Sequence, residues 1–253
     1  MILPRALAVW HRNFLVWRKL AVASMVGNFG DPFLYLLGLG YGLGMFIGEM
    51  SGIPYMAFLA SGILCSSAMN TATFESTYSV FTRMTQQFTW DGMLATPLSI
   101  PDIVAGEMLW AATKSLIAGT AIFIVAGLLG GIQSWETAIL ALPVVLLAGL
   151  CFASLGLVVC MLSPSYDFFL YYFTLAVTPM FLFCGVFYPI TALPEPVQMF
   201  AQSLPLTHAV DLIRPLLTEL PLQAAWLHIA VLIAYTAGGY VLAVRLARRR
   251  LLK

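Results

Sequence analysis

The sequence predicts an all-α integral membrane protein, and three observations carry that prediction. Hydrophobic residues make up 61% of the 253 and charged residues only 9%, with a mean hydropathy of +0.93. A soluble domain carries roughly a quarter charged residues. The basic residues gather at the two ends, Arg5, Arg12, Arg18 and Lys19 at one and Arg245, Arg248, Arg249, Arg250 and Lys253 at the other. The positive-inside rule then puts both termini in the cytoplasm and makes the number of spans even. Finally, six apolar runs, at 21–48, 55–80, 101–130, 135–162, 167–190 and 222–245, match the length of about twenty residues that a helix needs to cross a bilayer. A single transmembrane domain over 1–253 follows, because no polar run is long enough to fold separately.

Residues 1–20 read as an amphipathic interfacial helix. Arg5, Arg12 and Lys19 fall seven apart on one face, opposite Leu3, Leu7, Trp10, Phe14 and Trp17, a pattern suited to the membrane interface. The competing reading is a polar extension of the first span. The same charges interrupt every apolar run before it reaches the length of a signal-peptide core.

The first span, 21–48, is too long to be straight and is expected to break at Asp31-Pro32, with Asp31 capping a helix that has Pro32 in its first position. Gly40, Gly44 and Gly48 form a small-residue ridge for close helix packing, within the chain or against a second copy. The second span, 55–80, turns polar over its second half, with Ser66, Ser67, Asn70, Thr71, Thr73, Glu75, Ser76, Thr77 and Ser79. Such a stripe faces helices, water or a pathway. Its one charge, Glu75, is either a pathway group or a residue at the cytoplasmic boundary.

The loop 82–97 falls in the cytoplasm, and Gln86 to Leu94 is expected to form a short helix ending before Pro97. Arg83, Gln86, Gln87, Thr89, Trp90, Asp91, Met93 and Leu94 would then present a docking element. Ser99 and Asp102 have the spacing of a capping box that opens the third span. Glu107 and Lys114, seven apart on one face of that span, lie near enough to the cytoplasmic end to snorkel. The fourth span is plain. A turn at Ser163-Pro164 is expected to cap the fifth span, which is dense in Phe and Tyr.

Pro189, Pro194 and Pro196 interrupt the chain after the fifth span. Over 191–220 two segments follow, Glu195 to Leu204 and Thr207 to Leu217, each about half the length of a span. Broken backbone of this kind survives in lipid only where protein buries it or a cavity receives it. It reads as an external re-entrant gate that includes Pro194, Glu195, Pro205 and Thr207. His208, Asp211 and Arg214, three apart each, share a face there. They either meet substrate head groups or form an internal ion pair, Asp211 with Arg214 or His208, that fixes the lid. Of the twelve Lys and Arg, only Arg214 lands clearly outside. Phe181, Phe183, Phe187 and Tyr188 lie near the same end, either contacting acyl chains and sugar rings or forming an ordinary aromatic belt.

Catalysis finds no support. Cys65, Cys151, Cys160 and Cys184 lie in apolar runs without metal-type spacing and read as packing residues. His11, His208 and His228 are scattered. The one Lys-Ser pair, Lys114-Ser115, follows Thr113 where a phosphate-binding loop needs glycine. No catalytic residue, metal or cofactor is expected in this chain, and any ATP and Mg would be bound by a partner.

With these residues in view, the chain resembles the membrane subunit of a type-2 ABC exporter. The likeness covers nearly the whole length and is carried by MLATPLSIPDIVAGE (Met93 to Glu107) and, more specifically, by GVFYPITALPEPVQMFAQSLPLTHAVDLIR (Gly185 to Arg214). It is similar to the nodulation protein J branch, linked to lipo-oligosaccharide export and related to permeases for O-antigen, teichoic acid and drugs. The resemblance implies six transmembrane helices, an N-terminal interfacial helix, a cytoplasmic coupling helix and two short external gate helices before the last span. It also implies a bacterial inner-membrane location, a homodimer of permeases in membrane lipid, and two copies of a separate ATP-binding ABC subunit, with no nucleic acid. Two rival functions remain. An ion-driven secondary transporter would favour mid-bilayer charges and an internal repeat, and no repeat is visible. A membrane enzyme acting on lipid-linked sugars would need clustered carboxylates, and the acidic residues here are dispersed.

Overall fold

The chain folds almost wholly into helices, which a computed structural model describes over residues 3–19 and 21–251, with side chains for 4–19, 21 and 33–251. Lys253 and the side chains of Leu3, Asp31 and Pro32 thus lie outside the described residues. In order the elements are α1 (Leu3–Trp17), α2 (Ala21–Gly42), α3 (Gly44–Ile47), a small antiparallel hairpin β1 (Glu49–Met50) and β2 (Ile53–Pro54), and α4 (Tyr55–Phe74). A π-helical turn (Glu75–Ser79) joins α4 to α5 (Val80–Thr85), followed by α6 (Thr89–Leu94) and α7 (Ile100–Leu128). Next come α8 (Trp135–Ala138), α9 (Ala141–Leu162), α10 (Asp167–Tyr172), a second π turn (Phe173–Val177) and α11 (Thr178–Phe183). A 3₁₀ turn (Ile190–Ala192) leads to α12 (Glu195–Ser203), α13 (Pro205–Leu217) and α14 (Ala225–Leu251).

Among the described residues four helices are long and apolar enough to cross a membrane, Tyr55–Thr85, Ile100–Leu128, Trp135–Leu162 and Ala225–Leu251. Phe33–Ile47 and Asp167–Phe183 are shorter apolar helices. The core is built by α4, α7 and α9 packed on one another, with α14 on α9 and α1 on α7. Small residues set these crossings. A Cβ on Gly149 would meet the Ser115 Oγ, one on Gly156 the Ser76 Oγ, and one on Gly239 the Ser154 Oγ, all too close to be tolerated. Hydroxyl-against-glycine contacts let backbones approach where burial of apolar surface cannot drive association.

Several sequence expectations change here. Backbone α2 continues through Asp31-Pro32, and the interruption comes instead at Leu43. The glycine ridge packs within the chain: a Cβ on Gly40 would strike Met56 and one on Gly44 would touch Tyr55, at the start of α4, while Gly48 is open. The second long helix runs on to Thr85, beyond the expected end at 80. The fifth helix ends at Phe183 rather than near 190, because Gly185 turns at φ 77. Ser163 closes α9 instead of capping the next helix, which begins at Asp167. The capping box is present as expected, with the Ser99 N–H donating to Asp102 Oδ2 at 2.9 Å.

The N-terminal helix also sits differently from a helix that only floats in the interface. Its most buried residues are Ala6, Val9 and Asn13, pressed onto α7 at Gly106, where a Cβ would lie 2.5 Å from the Val9 Cβ. Phe14 and Trp17 lean over Trp110 of α7, while Trp10 stacks on Phe14 and its Nε1 donates to Thr113 Oγ1 at 2.9 Å. Leu7, expected on the apolar face, is exposed.

Candidate functional site

Two polar regions stand out inside this apolar frame, one at the basic end that carries both chain termini and one at the far end. The basic end is tied together by Arg250, whose Nη1 donates to the carbonyls of Cys160, Met161 and Ser163 at the close of α9.

The first region is a closed cluster of charge. Arg83, on α5, donates through Nη1 to Glu75 Oε1 at 2.8 Å, and through Nη2 and Nε to both oxygens of Glu107 on α7, at 2.7 and 3.2 Å. Lys114, two turns along α7, donates to Glu75 Oε2 at 2.8 Å. Trp110 Nε1 adds a third bond to Glu75 at 3.0 Å, and Asn13 of α1 adds one to Glu107 at 2.9 Å. Two carboxylates are thus matched by two cations, and the carboxylates are 3% and 0% exposed. Charges removed from water survive only when paired and hydrogen-bonded; here every carboxylate oxygen has a partner. The wide turn at Glu75–Ser79 begins at one of these acids, and such turns recur at functional positions.

This arrangement corrects three expectations. Glu107 and Lys114 do not snorkel, since both are consumed inside. Glu75 is not at a solvated boundary: its three donors close it off between the helices. Arg83 is not on the docking loop but beneath it.

The loop itself is shorter than expected. Only Thr89–Leu94 is helical, so Gln86 and Gln87 precede the helix, both exposed. Trp90 is fully buried, so it is a root rather than a contact surface, while Asp91 is exposed and Met93 and Leu94 are half-buried against the core. A thread of polar contacts joins loop to cluster: Arg12 donates to Thr89 Oγ1 at 3.4 Å and to Asn13 Oδ1 at 2.9 Å, and Asn13 donates onward to Glu107.

The far region is built by α12 and α13. Pro194 precedes α12, Glu195 opens it exposed, and Pro205 opens α13 buried. Thr207 Oγ1 donates to the Ala201 carbonyl, stitching the two helices. Arg214 is the anchor. Its guanidinium lies 3.7 Å from the Phe58 ring centroid and donates to Ser61 Oγ at 3.0 Å and to the Gly185 carbonyl at 2.5 Å. The segment after Gly185 rests on α4 at Gly62, where a Cβ would lie 2.5 Å from the Val186 carbonyl oxygen. The expected ion pair of Asp211 with Arg214 or His208 is not formed. Arg214 turns to neutral oxygens, and His208 Nδ1 meets His228 Nδ1 of α14 at 2.8 Å.

Phe181 and Phe187 pack edge to face at 4.7 Å and take in Tyr35 of α2. Phe183 and Tyr188 are half-buried beside them. Sequence reasoning missed Asn13, Trp110, Ser61 and His228, which are unremarkable types whose partners lie on other helices. It also missed that α4, buried on nearly every side, leaves Asn70 and Phe74 exposed one turn apart.

Comparison with known proteins adds a family. The ABC-2 type transporter profile matches residues 5–218. The chain is 50% identical to nodulation protein J of Rhizobium leguminosarum bv. viciae, over 98% of this chain and 95% of that one. It is 49% identical to nodulation protein J of Bradyrhizobium diazoefficiens, over 97% and 94%. The inner membrane transport permease YadH of Escherichia coli is 24% identical over 81% of this chain and 79% of its own length.

Proposed function

The chain belongs to the ABC-2 type transporter family, as a multi-pass membrane permease that is not itself an ATPase, and we propose that two copies of it work with two copies of a separate ATP-binding subunit to export an amphiphile across the bacterial inner membrane. In this reading the six apolar segments all span, both termini and α6 face the cytoplasm, and α12 and α13 close the outer end. A lipo-oligosaccharide is the favoured cargo, because the relatives at 50% and 49% identity are nodulation proteins J; lipid-linked glycans and drugs are the other amphiphiles to screen.

The observation that carries the mechanism is the closed charge cluster. It fastens α1, α5 and α7 to one another directly beneath α6. A displacement of α6 by a closing ATP-binding subunit would therefore move these helices as one body rather than bend a loop. At the far end the gate is held by hydrogen bonds to neutral groups, from Arg214 to Ser61 and Gly185 and from Gln133 and Thr137 to the end of α13, with no buried ion pair to break, so it yields first. Nucleotide state acts through its differential affinity for the two arrangements.

The test is co-purification with a candidate ABC ATP-binding subunit from the same genome, followed by ATP hydrolysis in nanodiscs. Association that is lost when 86–91 is altered, with the permease still folded, supports the reading. Transport driven by a proton or sodium gradient, with no ATPase bound, would replace it with a secondary transporter.

A further inference from the structure

Between Met84 and Pro101 the only charged residue is Asp91, yet at the tip of this loop Phe88 is 65% exposed. Exposed Leu34, Phe46, Leu128 and Leu175 lie within the long apolar runs, and exposed Met199 and Phe200 on α12. Phe88 instead stands off the end of a long helix, among exposed Gln86, Gln87, Asp91 and Gly92.

Its backbone is unusual as well. Phe88 adopts φ 49, ψ 28, a left-handed conformation that crowds any Cβ. Four other positions with positive φ are filled by glycine, at 48, 52, 130 and 185; the described non-glycine cases are Ser51, Ala224 and Phe88. Phe88 is thus the one large side chain held this way among the described residues. A glycine would serve the turn without strain, so the turn does not explain the phenylalanine.

The loop is also rigid on both sides of it. The Gln87 N–H donates to the Thr82 carbonyl at 3.0 Å, and the Gly92 N–H donates to the Phe88 carbonyl at 3.2 Å. Trp90, two residues on, is 0% exposed. Phe88 is therefore presented outward on a fixed base and has no route inward.

We propose that Phe88 is the anchor by which the ATP-binding subunit grips this chain, inserted in an apolar pocket of that subunit whose rim hydrogen-bonds Gln86, Gln87 and Thr89. The assignment rests on the permease reading and names the residue through which that docking acts. An aromatic surrounded by neutral polar groups is the composition of an interface hot spot and its rim. A lipid contact would call for a cluster of exposed Lys or Arg; Arg12 reaches this loop but is half-buried and bound to Thr89 and Asn13, and exposed Arg5 and Arg248 lie on α1 and α14. With one charge in the loop, binding is not steered by electrostatics.

The experiment compares full-length permease in nanodiscs, wild type and substituted, for its affinity to the purified ATP-binding subunit, alongside thermal unfolding of the permease alone. Phe88→Ala and Phe88→Gly are expected to weaken binding at least tenfold, and Phe88→Leu to lose less. Phe88→Gly should unfold no earlier than wild type, because glycine adopts this backbone freely, which separates a lost contact from a lost fold. Raising salt from 0.1 to 0.5 M should change the wild-type affinity less than threefold. Undiminished binding by Phe88→Gly overturns the proposal, as does a steep salt dependence. Intact ATPase binding with lost vesicle association or lost permease dimerisation assigns Phe88 to lipid or to a second copy, and also overturns it. If the wild type binds no ATP-binding subunit, the permease reading itself fails first.

Discussion

At the basic end, Arg83 and Lys114 are closed on Glu75 and Glu107 inside the helices, and no cation in that group lacks a carboxylate. At the far end, Arg214 is held by a serine hydroxyl, two carbonyls and an aromatic face, with no carboxylate paired to it among the described residues. One region is therefore neutral and self-satisfied, and comes apart only by exposing charge. The other holds its cation on neutral groups and depends on backbone carbonyls that move when the chain segment after Gly185 moves. That difference suits a rigid transmitter on one side and a yielding closure on the other.

The sharpest way to break the comparison is to unbalance the closed cluster. Replacing Arg83 by Leu leaves Glu107 without its cation, and removing one partner of a buried pair costs roughly 3–5 kcal/mol. Thermal unfolding of the Arg83→Leu permease in detergent should fall accordingly. The double variant Arg83→Leu with Glu107→Leu should recover most of the loss, since Glu75 keeps Lys114. A double variant as unstable as the single one would mean that the charges are not what holds this region.

The gate responds to a smaller perturbation and only locally. Arg214→Met removes hydrogen bonds from a charged donor, a net of about 1.5–3 kcal/mol each, but it also removes the cost of burying a cation without a carboxylate, so the two largely offset. Amide exchange should accelerate in α13 and 184–190, while α1 and α7 stay protected. Acceleration spread evenly over the whole chain would contradict a separable gate. Between these and the smallest effect stands Ser99→Ala, which removes the cap of α7 and costs about 1 kcal/mol, lowering the unfolding temperature without touching either charge arrangement.

What was legible in the sequence follows this same division. The gate helices were readable to within a few residues, because Pro194, Pro196 and Pro205 act on the backbone locally and the run between them is too short to span. The Ser99–Asp102 box was readable for the same reason. The charge cluster was not. Glu75 and Arg83 are eight residues apart, a rise of about 12 Å along an α-helix, and they meet only through long side chains across a wide turn. Glu75 and Lys114 are 39 apart and lie on different helices, so no spacing rule joins them. Arg214 misled for the opposite reason: Asp211 stands at ideal helical spacing, and the guanidinium prefers the far-off Ser61 and Gly185 because α13 is packed against α4 there. Periodicity reports what one helix offers; which offer is taken depends on its neighbour.

The smallest expected effect tests another of the gate's contacts. The Nδ1 atoms of His208 and His228 lie 2.8 Å apart, so one ring must donate and the other accept, and two protonated rings cannot face each other this way. Burial, and then the neighbouring His228, hold the His208 imidazole below its usual range. Below the unfolded value of about 6.5, the unfolded chain takes up a proton that the folded gate resists. Stability from this contact is therefore complete above that pH and declines as pH falls through the lower folded value. Asp211, on the same helix, has its carboxyl pushed up by burial, so its contribution has the opposite sign, at lower pH; Arg214 stays charged throughout. Unfolding temperatures from pH 7.5 to 5.5 should fall more for wild type than for His208→Gln, whose amide bonds His228 without titrating. Equal slopes would show that the histidine pair is a packing contact alone, leaving Arg214 and the bonds from Gln133 and Thr137 to the end of α13 as the gate's polar fastenings.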